Sequence, residues 1–236
     1  MIEITMAGIA KNAIGTDMLA FLLEKIGAAN GAPILLSGSG DAFSAGINLK
    51  EVMTLDREGM AQFLAMFERC MSALYFYPGP TVACVNGHAI AGGCLLALCC
   101  DRRVIASNPK IKIGLNEVAL GVRFPPMTLA IVRNRISRRH IDEVVLGARL
   151  FDPISAVRVG LVDEIADDPV SVARARSLEL AAHSPTVYAA VKRDLRGVED
   201  DISPPQTKDG DLQEAVAVWT STDVRNKFAS ALAPRA

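Results

Sequence analysis

A short apolar run that ends in a small-residue turn occurs twice in this chain, with helical spacing beside it each time, and no other feature restricts the fold as much. Pro33-Ile34-Leu35-Leu36-Ser37-Gly38 follows a stretch in which Met18, Leu19, Leu22, Leu23 and Ile26 fall at helical spacing behind Asp17. Thr81-Val82-Ala83-Cys84-Val85-Asn86 repeats the run, and Gly92-Gly93 then opens an apolar helix from Cys94 to Cys100. A third strand is expected from Arg103 to Ala106. Strands separated by helices predict parallel pairing through crossover connections, with both faces of the sheet covered. The fold class is therefore α/β.

Beyond Pro125 the spacing is mostly helical. Val170 to Ala182, Pro185 to Leu195 and Leu212 to Trp219 read as helices, Gly160-Leu161-Val162-Asp163-Glu164-Ile165 as one more strand, and Gly197 to Gly210 as a loop or hinge. A chain of 236 residues buries a sizeable core but leaves room for a single catalytic unit. With half the residues apolar and a net charge of −1, nothing favours nucleic acid or an anionic membrane surface, and a small discrete ligand is expected instead. No apolar run approaches the roughly 20 residues of a membrane helix, and Met1-Ile2-Glu3 begins neither a secretory signal nor an Arg-rich transit peptide. The expected location is the cytoplasm. Cys94, Cys99 and Cys100 lack the paired spacing and histidines of a zinc site, so the five cysteines read as reduced core thiols and no metal is expected. A nucleophilic cysteine would need a base, and His88 alone is close in sequence.

Two segments carry chemistry. Asp41-Ala42-Phe43-Ser44-Ala45-Gly46-Ile47-Asn48-Leu49-Lys50-Glu51 follows a buried strand, and its small residues let backbone approach a ligand closely. Asn86-Gly87-His88-Ala89-Ile90-Ala91-Gly92-Gly93-Cys94 joins a strand to a helix, so its glycines would gather free amides and the positive helix end at one point. Each alone is as consistent with a tight turn as with a site.

In this order and spacing, Phe43 to Glu51 and Asn86-Gly87 through Gly92-Gly93-Cys94 resemble the two signature segments of the enoyl-CoA hydratase/isomerase (crotonase) superfamily, a likeness running from about Asn12 to Ile165. The resemblance implies a crotonase-like ββα spiral core over residues 1–165 holding an acyl-CoA site, and a C-terminal helical trimerisation region over residues 166–236. It implies an acyl-CoA thioester as partner, coenzyme A being part of the substrate with no separate cofactor, and assembly as a homotrimer or dimer of trimers. The backbone N–H groups of Ile47 and Gly92 would form the oxyanion hole, and Lys50 would contact coenzyme A. Ala45, Leu49, Leu95 and Leu120 would join Ile47, Lys50 and Gly92 around the substrate. Such a hole suits chemistry that places negative charge on a thioester oxygen, where one preorganised donor is worth roughly 3–4 kcal/mol.

Hydratases of this superfamily carry one glutamate just after the glycine pair and a second in a later Gly-x-x-Glu segment. Here Leu95 occupies the first position and only Glu117 appears, within Ile113-Gly114-Leu115-Asn116-Glu117-Val118-Ala119-Leu120-Gly121. This resembles the isomerases that convert 3-enoyl-CoA to 2-enoyl-CoA. Moving a double bond needs one group that takes a proton from C2 and returns it at C4, whereas hydration needs a second to position water. Leu95, Leu120 and Phe124 are expected to raise the Glu117 pKa toward neutrality while leaving the group ionised near working pH. Hydration, thioester hydrolysis or a non-catalytic acyl-CoA-binding subunit are the competing readings. His88 reads as a structural histidine, Asp101, Asp163 and Glu164 as structural or solvent-facing, and Arg123 as an exposed loop residue. Only 11 residues precede Asn12, so at most one strand fits there, and the expectation is either an incomplete first turn of the spiral or a chain that begins late.

Overall fold

The computed structural model describes residues 1–197 and 209–233. Strand β1 (Ile2–Met6) leads to helix α1 (Thr16–Ala28), then β2 (Ile34–Gly38), β3 (Ala42–Ser44) and α2 (Arg57–Tyr75). Next come β4 (Thr81–Val85), β5 (His88–Ile90), α3 (Gly92–Cys99), β6 (Arg102–Ala106), β7 (Ile113–Gly114) and α4 (Pro126–Arg135). After β8 (Glu164–Ala166) the described chain is helical: α5 (Pro169–Ala181), α6 (Pro185–Arg196), α7 (Asp209–Trp219) and α8 (Thr222–Leu232). Shorter helical turns are named below by their residues.

Five strands form a parallel sheet in the order β1-β2-β4-β6-β8, and β3-β5-β7 form a second parallel sheet. Each winding passes from a large-sheet strand to a small-sheet strand and then to helix, which is the expected ββα spiral. Alternation along the strands sorts two cores. Leu35, Val82, Cys84 and Val104 point to one face, where Ala173 of α5 covers them, while Ile34, Leu36, Ala83, Val85 and Ile105 point into the main core. Both faces being covered, β4 is buried at every residue. Helix α2 supplies the broadest apolar stripe, with Met60, Phe63, Leu64, Phe67, Cys70, Met71 and Leu74 inward, and Asp56 caps it by accepting from Gly59 N–H at 2.8 Å.

Before Asn12 there is one strand, β1. The small-sheet strand of that first winding shrinks to a single parallel bridge between Ile14 and Ile47. Two expectations are refined. The stretch Asn86 to Cys94 joins a strand to a helix as expected, but holds a further short strand, β5, which pairs with β3 and β7. Of the strand expected over Gly160–Ile165, only Glu164 and Ile165 are extended: Gly160, at φ +81°, ends the helix Pro153–Val159, and Leu161 and Val162 are buried in a loop. Most of the expected loop Gly197–Gly210 lies outside the described residues.

All five cysteines are free and buried. Burial pushes the Cys84 thiol up to about 11 and the Cys70 and Cys100 thiols up to about 12, so none is poised as a nucleophile. Asp163 forms a two-pronged pair with buried Arg103, at 2.7 and 3.0 Å. Asp101 is structural as well, but buried rather than solvent-facing. It accepts from Thr81 N–H, Tyr188 Oη, Lys192 Nζ and Arg196, all within 2.9 Å. Lys192 and Arg196 are the buried residues of α6, while Val187, Val191 and Leu195 of the same helix are 60, 50 and 81% exposed. Helix α6 therefore docks through charge and shows its apolar stripe outward, beside a groove of about 740 Å³.

The last two helices fold back onto the spiral. Arg225 of α8 donates to Met53 O (2.7 Å) and Leu55 O (2.6 Å), and Ala215, Val216, Trp219, Val224 and Phe228 enter the main core. Residues on either side of position 165 thus share one core.

Candidate active site

The two glycine-bearing segments meet at one place. Gly46 has φ +85°, and a Cβ there would stand 2.5 Å from Ile90 O and 3.4 Å from Gly92 N. A Cβ on Gly93 would stand 2.4 Å from Ser44 O. Only glycine lets these backbones approach so closely. Ser44 ties the first segment down, its hydroxyl donating to Asn12 O at 2.8 Å and accepting from Gly46 N–H at 3.2 Å.

This contact leaves two amides free. In the parallel bridge of Ile14 to Ile47 the hydrogen bonds run through the neighbours, from Ile14 N–H to Gly46 O and from Asn48 N–H to Ile14 O, so the N–H of Ile47 is turned away. Gly92 is the first residue of α3 and has no acceptor within its own helix. Among the described residues neither N–H donates to a protein acceptor. Ala91, just before Gly92, is held at φ 48° and ψ −115°, a strained conformation for alanine that aims the start of α3.

Ile47 and Gly92 line a cavity of about 640 Å³ together with Ala45, Leu49, Leu95, Glu117 and Leu120. Every site residue expected from the sequence is therefore gathered here except Lys50, which is exposed on the helical turn Leu49–Val52 and does not line the cavity. Lys11 lines it instead, in a left-handed conformation, with its Nζ 3.0 Å from the Asp41 carboxylate. His88 is structural, its Nδ1 accepting from Lys112 N–H at 3.1 Å.

Glu117 opens the helical turn Glu117–Leu120 and is 5% exposed. Its Oε2 has no hydrogen-bond partner among the described residues, and burial drives its pKa up to about 8. The rise toward neutrality is the one expected from the sequence, but it carries the group past pH 7 rather than leaving it ionised there. Leu95 at 3% exposure, Leu120 and Phe124 form an apolar surround, and among the described residues no cation offsets its effect, so the group is mostly protonated at neutral pH. Beside it, Asn116 Oδ1 is a second buried oxygen without a partner among the described residues. The C-terminal wall, where Trp219 and Phe228 face the cavity, has no signal in the sequence. Among the described residues no group of three or more His, Cys, Asp or Glu could hold a metal, and no helix is long and apolar enough to cross a membrane.

A two-sheet ββα spiral enclosing a buried carboxyl and two free amides defines an enzyme of the crotonase fold. The enoyl-CoA hydratase/isomerase family model matches residues 1–226, and the chain belongs to that family. It is 38% identical to the mouse mitochondrial enoyl-CoA delta isomerase 1 over 145 residues, 61% of this chain and 50% of that protein, so it spans about half the length of that relative. A putative enoyl-CoA hydratase of Thermus thermophilus is 31% identical over 204 residues, covering 80% of this chain and 79% of that one. The crystal structure of the human mitochondrial delta3-delta2-enoyl-CoA isomerase superposes with a TM-score of 0.89 at 25% identity, over 95% of this chain and 90% of that one.

Proposed function

We propose that this enzyme shifts the double bond of a 3-enoyl-CoA to give a 2-enoyl-CoA. The observation that carries this reading is the buried carboxyl of Glu117, the one acid lining the cavity among the described residues, with Leu95 where a second carboxylate would stand. Ionised Glu117 takes a proton from C2, and the electron pair moves onto the thioester oxygen as a dienolate. The free amides of Ile47 and Gly92 form the oxyanion hole for that oxygen. Protonated Glu117 then delivers that proton to C4 as the oxygen's electron pair re-forms the carbonyl and the double bond settles between C2 and C3, so nothing is added to the substrate or lost from it. Ala45, Leu49 and Leu120 line the path of the substrate, and Lys11 at the mouth, with Lys50 on the surface beyond, supplies positive charge for the coenzyme A phosphates.

The absorbance of the conjugated thioester tests this. With a 3-enoyl-CoA it should rise, and with a 2-enoyl-CoA it should stay constant. Hydration is the second reading, favoured by the unpartnered Asn116 Oδ1 beside Glu117, where a water would find two acceptors. Loss of the 2-enoyl signal would establish it in place of isomerisation.

We also propose that the chain assembles as a homotrimer or dimer of trimers. The outward stripe of Val187, Val191 and Leu195, with Leu178 of α5 also exposed, supports this, since an apolar helix face turned to water is otherwise costly. Light scattering of the purified protein decides it, and a monomer at micromolar concentration would refute it.

A further inference from the structure

From Asn116 to Val122 the backbone closes on itself: Leu120 N–H donates to Asn116 O, Gly121 N–H to Val118 O and Val122 N–H to Glu117 O, at 3.0 to 3.1 Å. These bonds shape the turn that carries Glu117, but they do not place it in the molecule. On the next residues, the last two helices take hold. The indole N–H of Trp219 donates to Arg123 O at 3.0 Å, the Arg123 guanidinium pairs with Glu214 of α7, and Lys227 of α8 lies against Gly121, where an added Cβ would stand 2.7 Å from its Nζ. The three contacts are not equal. Arg123 and Glu214 are both more than half exposed, so solvent screens that pair, and Lys227 is 44% exposed. Trp219 is 4% exposed, and its ring stands edge-on to Phe228 with centroids 5.8 Å apart.

We infer that Trp219 is a positioning residue: its N–H fixes the Arg123 carbonyl and with it the turn bearing Glu117, while its ring, backed by Phe228, forms the wall that keeps water from the carboxyl. The inference rests on the reading of Glu117 as the group that moves the proton. Trp219 touches no reacting atom and acts through the loop. Such a residue affects the chemical step and the protonation of Glu117 more than the capture of substrate.

The decisive variant is Trp219→Phe, which keeps an aromatic ring and removes the donor. Its kcat should fall roughly tenfold, the scale of one buried hydrogen bond, with KM changed less than about twofold. The pH midpoint of kcat/KM should also move down from its wild-type value by about half a unit or more, because water reaching a buried carboxyl favours its charged form. A purely structural role would lower the melting temperature and leave that midpoint in place. Trp219→Ala, checked for native circular dichroism, should shift the midpoint further. The infrared carbonyl band of protonated Glu117, assigned by its absence in Glu117→Gln, reads the same midpoint without turnover. If wild-type protein converts no 3-enoyl-CoA, the reaction assignment fails while the band still judges Trp219. An unmoved midpoint in both Trp219 variants overturns the inference.

Discussion

The Nζ of Lys192 lies 2.8 Å from Oδ2 of Asp101, and the guanidinium of Arg196 is 2.5 Å from Oδ1 of the same carboxylate. One buried anion thus serves two buried cations. Burial alone would raise the Asp101 pKa, yet the flanking charges hold it below its ordinary value, while burial lowers Lys192 to about 8 despite its partner. The pair anchors α6 to the loop after α3, so the placement of an apolar outer stripe depends on a polar inner one.

Replacing Asp101 by Asn should therefore cost about 3–5 kcal/mol, since removing one partner of a buried pair strands the others. A urea titration of the variant checks the magnitude. The same substitution should loosen α6, seen as faster amide exchange over residues 185–196 than in the rest of the chain.

Glu117→Gln keeps the size of the side chain and removes its ability to carry a proton. Turnover should fall by about 10² to 10⁴, the usual contribution of general acid–base catalysis, while acyl-CoA affinity measured by calorimetry stays within a few-fold. Unchanged turnover would remove Glu117 from the mechanism.

The pH dependence of activity and of stability should run in opposite directions. Because the base must be ionised, kcat/KM should rise with pH and level off above about 8. For stability, the folded pKa of Glu117 lies above the unfolded value of 4.5, so between the two the native state binds the extra proton and stability falls as pH rises. The full span is on the order of 5 kcal/mol at 1.36 kcal/mol per unit. Glu117→Gln should accordingly be more stable than wild type at pH 8, with the difference shrinking toward pH 4.5. Parallel thermal melts across that range would show the convergence, and a constant difference would contradict it.

Ala91→Gly should stabilise the chain slightly. Relief of a strained φ/ψ pair is worth about 1–3 kcal/mol, against the ~0.4–1 kcal/mol that glycine costs through the unfolded chain. Chemical denaturation of the variant measures the balance, and a net loss would mean that the alanine methyl contributes packing that offsets its strain.

Strands β2, β4 and β6 and the two chemical segments were legible because apolar runs and glycine pairs are local signals. Leu95 and Glu117 became informative through resemblance to a family, not through spacing. Strands β3 and β5 escaped because three residues are too few for a period to show. Trp219 and Phe228 escaped for a different reason: their position on the cavity wall is set by helices returning from far along the chain, and amphipathic spacing records that a face is buried without recording against what. The burial of Lys192 and Arg196 carries no sequence signal, since long cations are almost always exposed and only the Asp101 carboxylate opposite makes the exception. Lys50 and Lys11 show the limit of position by motif: Lys50 is exposed on the helical turn Leu49–Val52 away from the cavity, while Lys11, some forty residues earlier, lines it.

The sealed thiols make the native chain nearly inert to alkylating reagents, because all five sulfurs are out of solvent and the thiolate form is suppressed by burial. Each becomes reactive once the structure around it opens. Cys84 lies in the small core under α5, whereas Cys70, Cys94, Cys99 and Cys100 belong to the main core. Peptide-resolved labelling would therefore act as a two-channel clock, timing the detachment of α5 from the sheet separately from the collapse of the spiral.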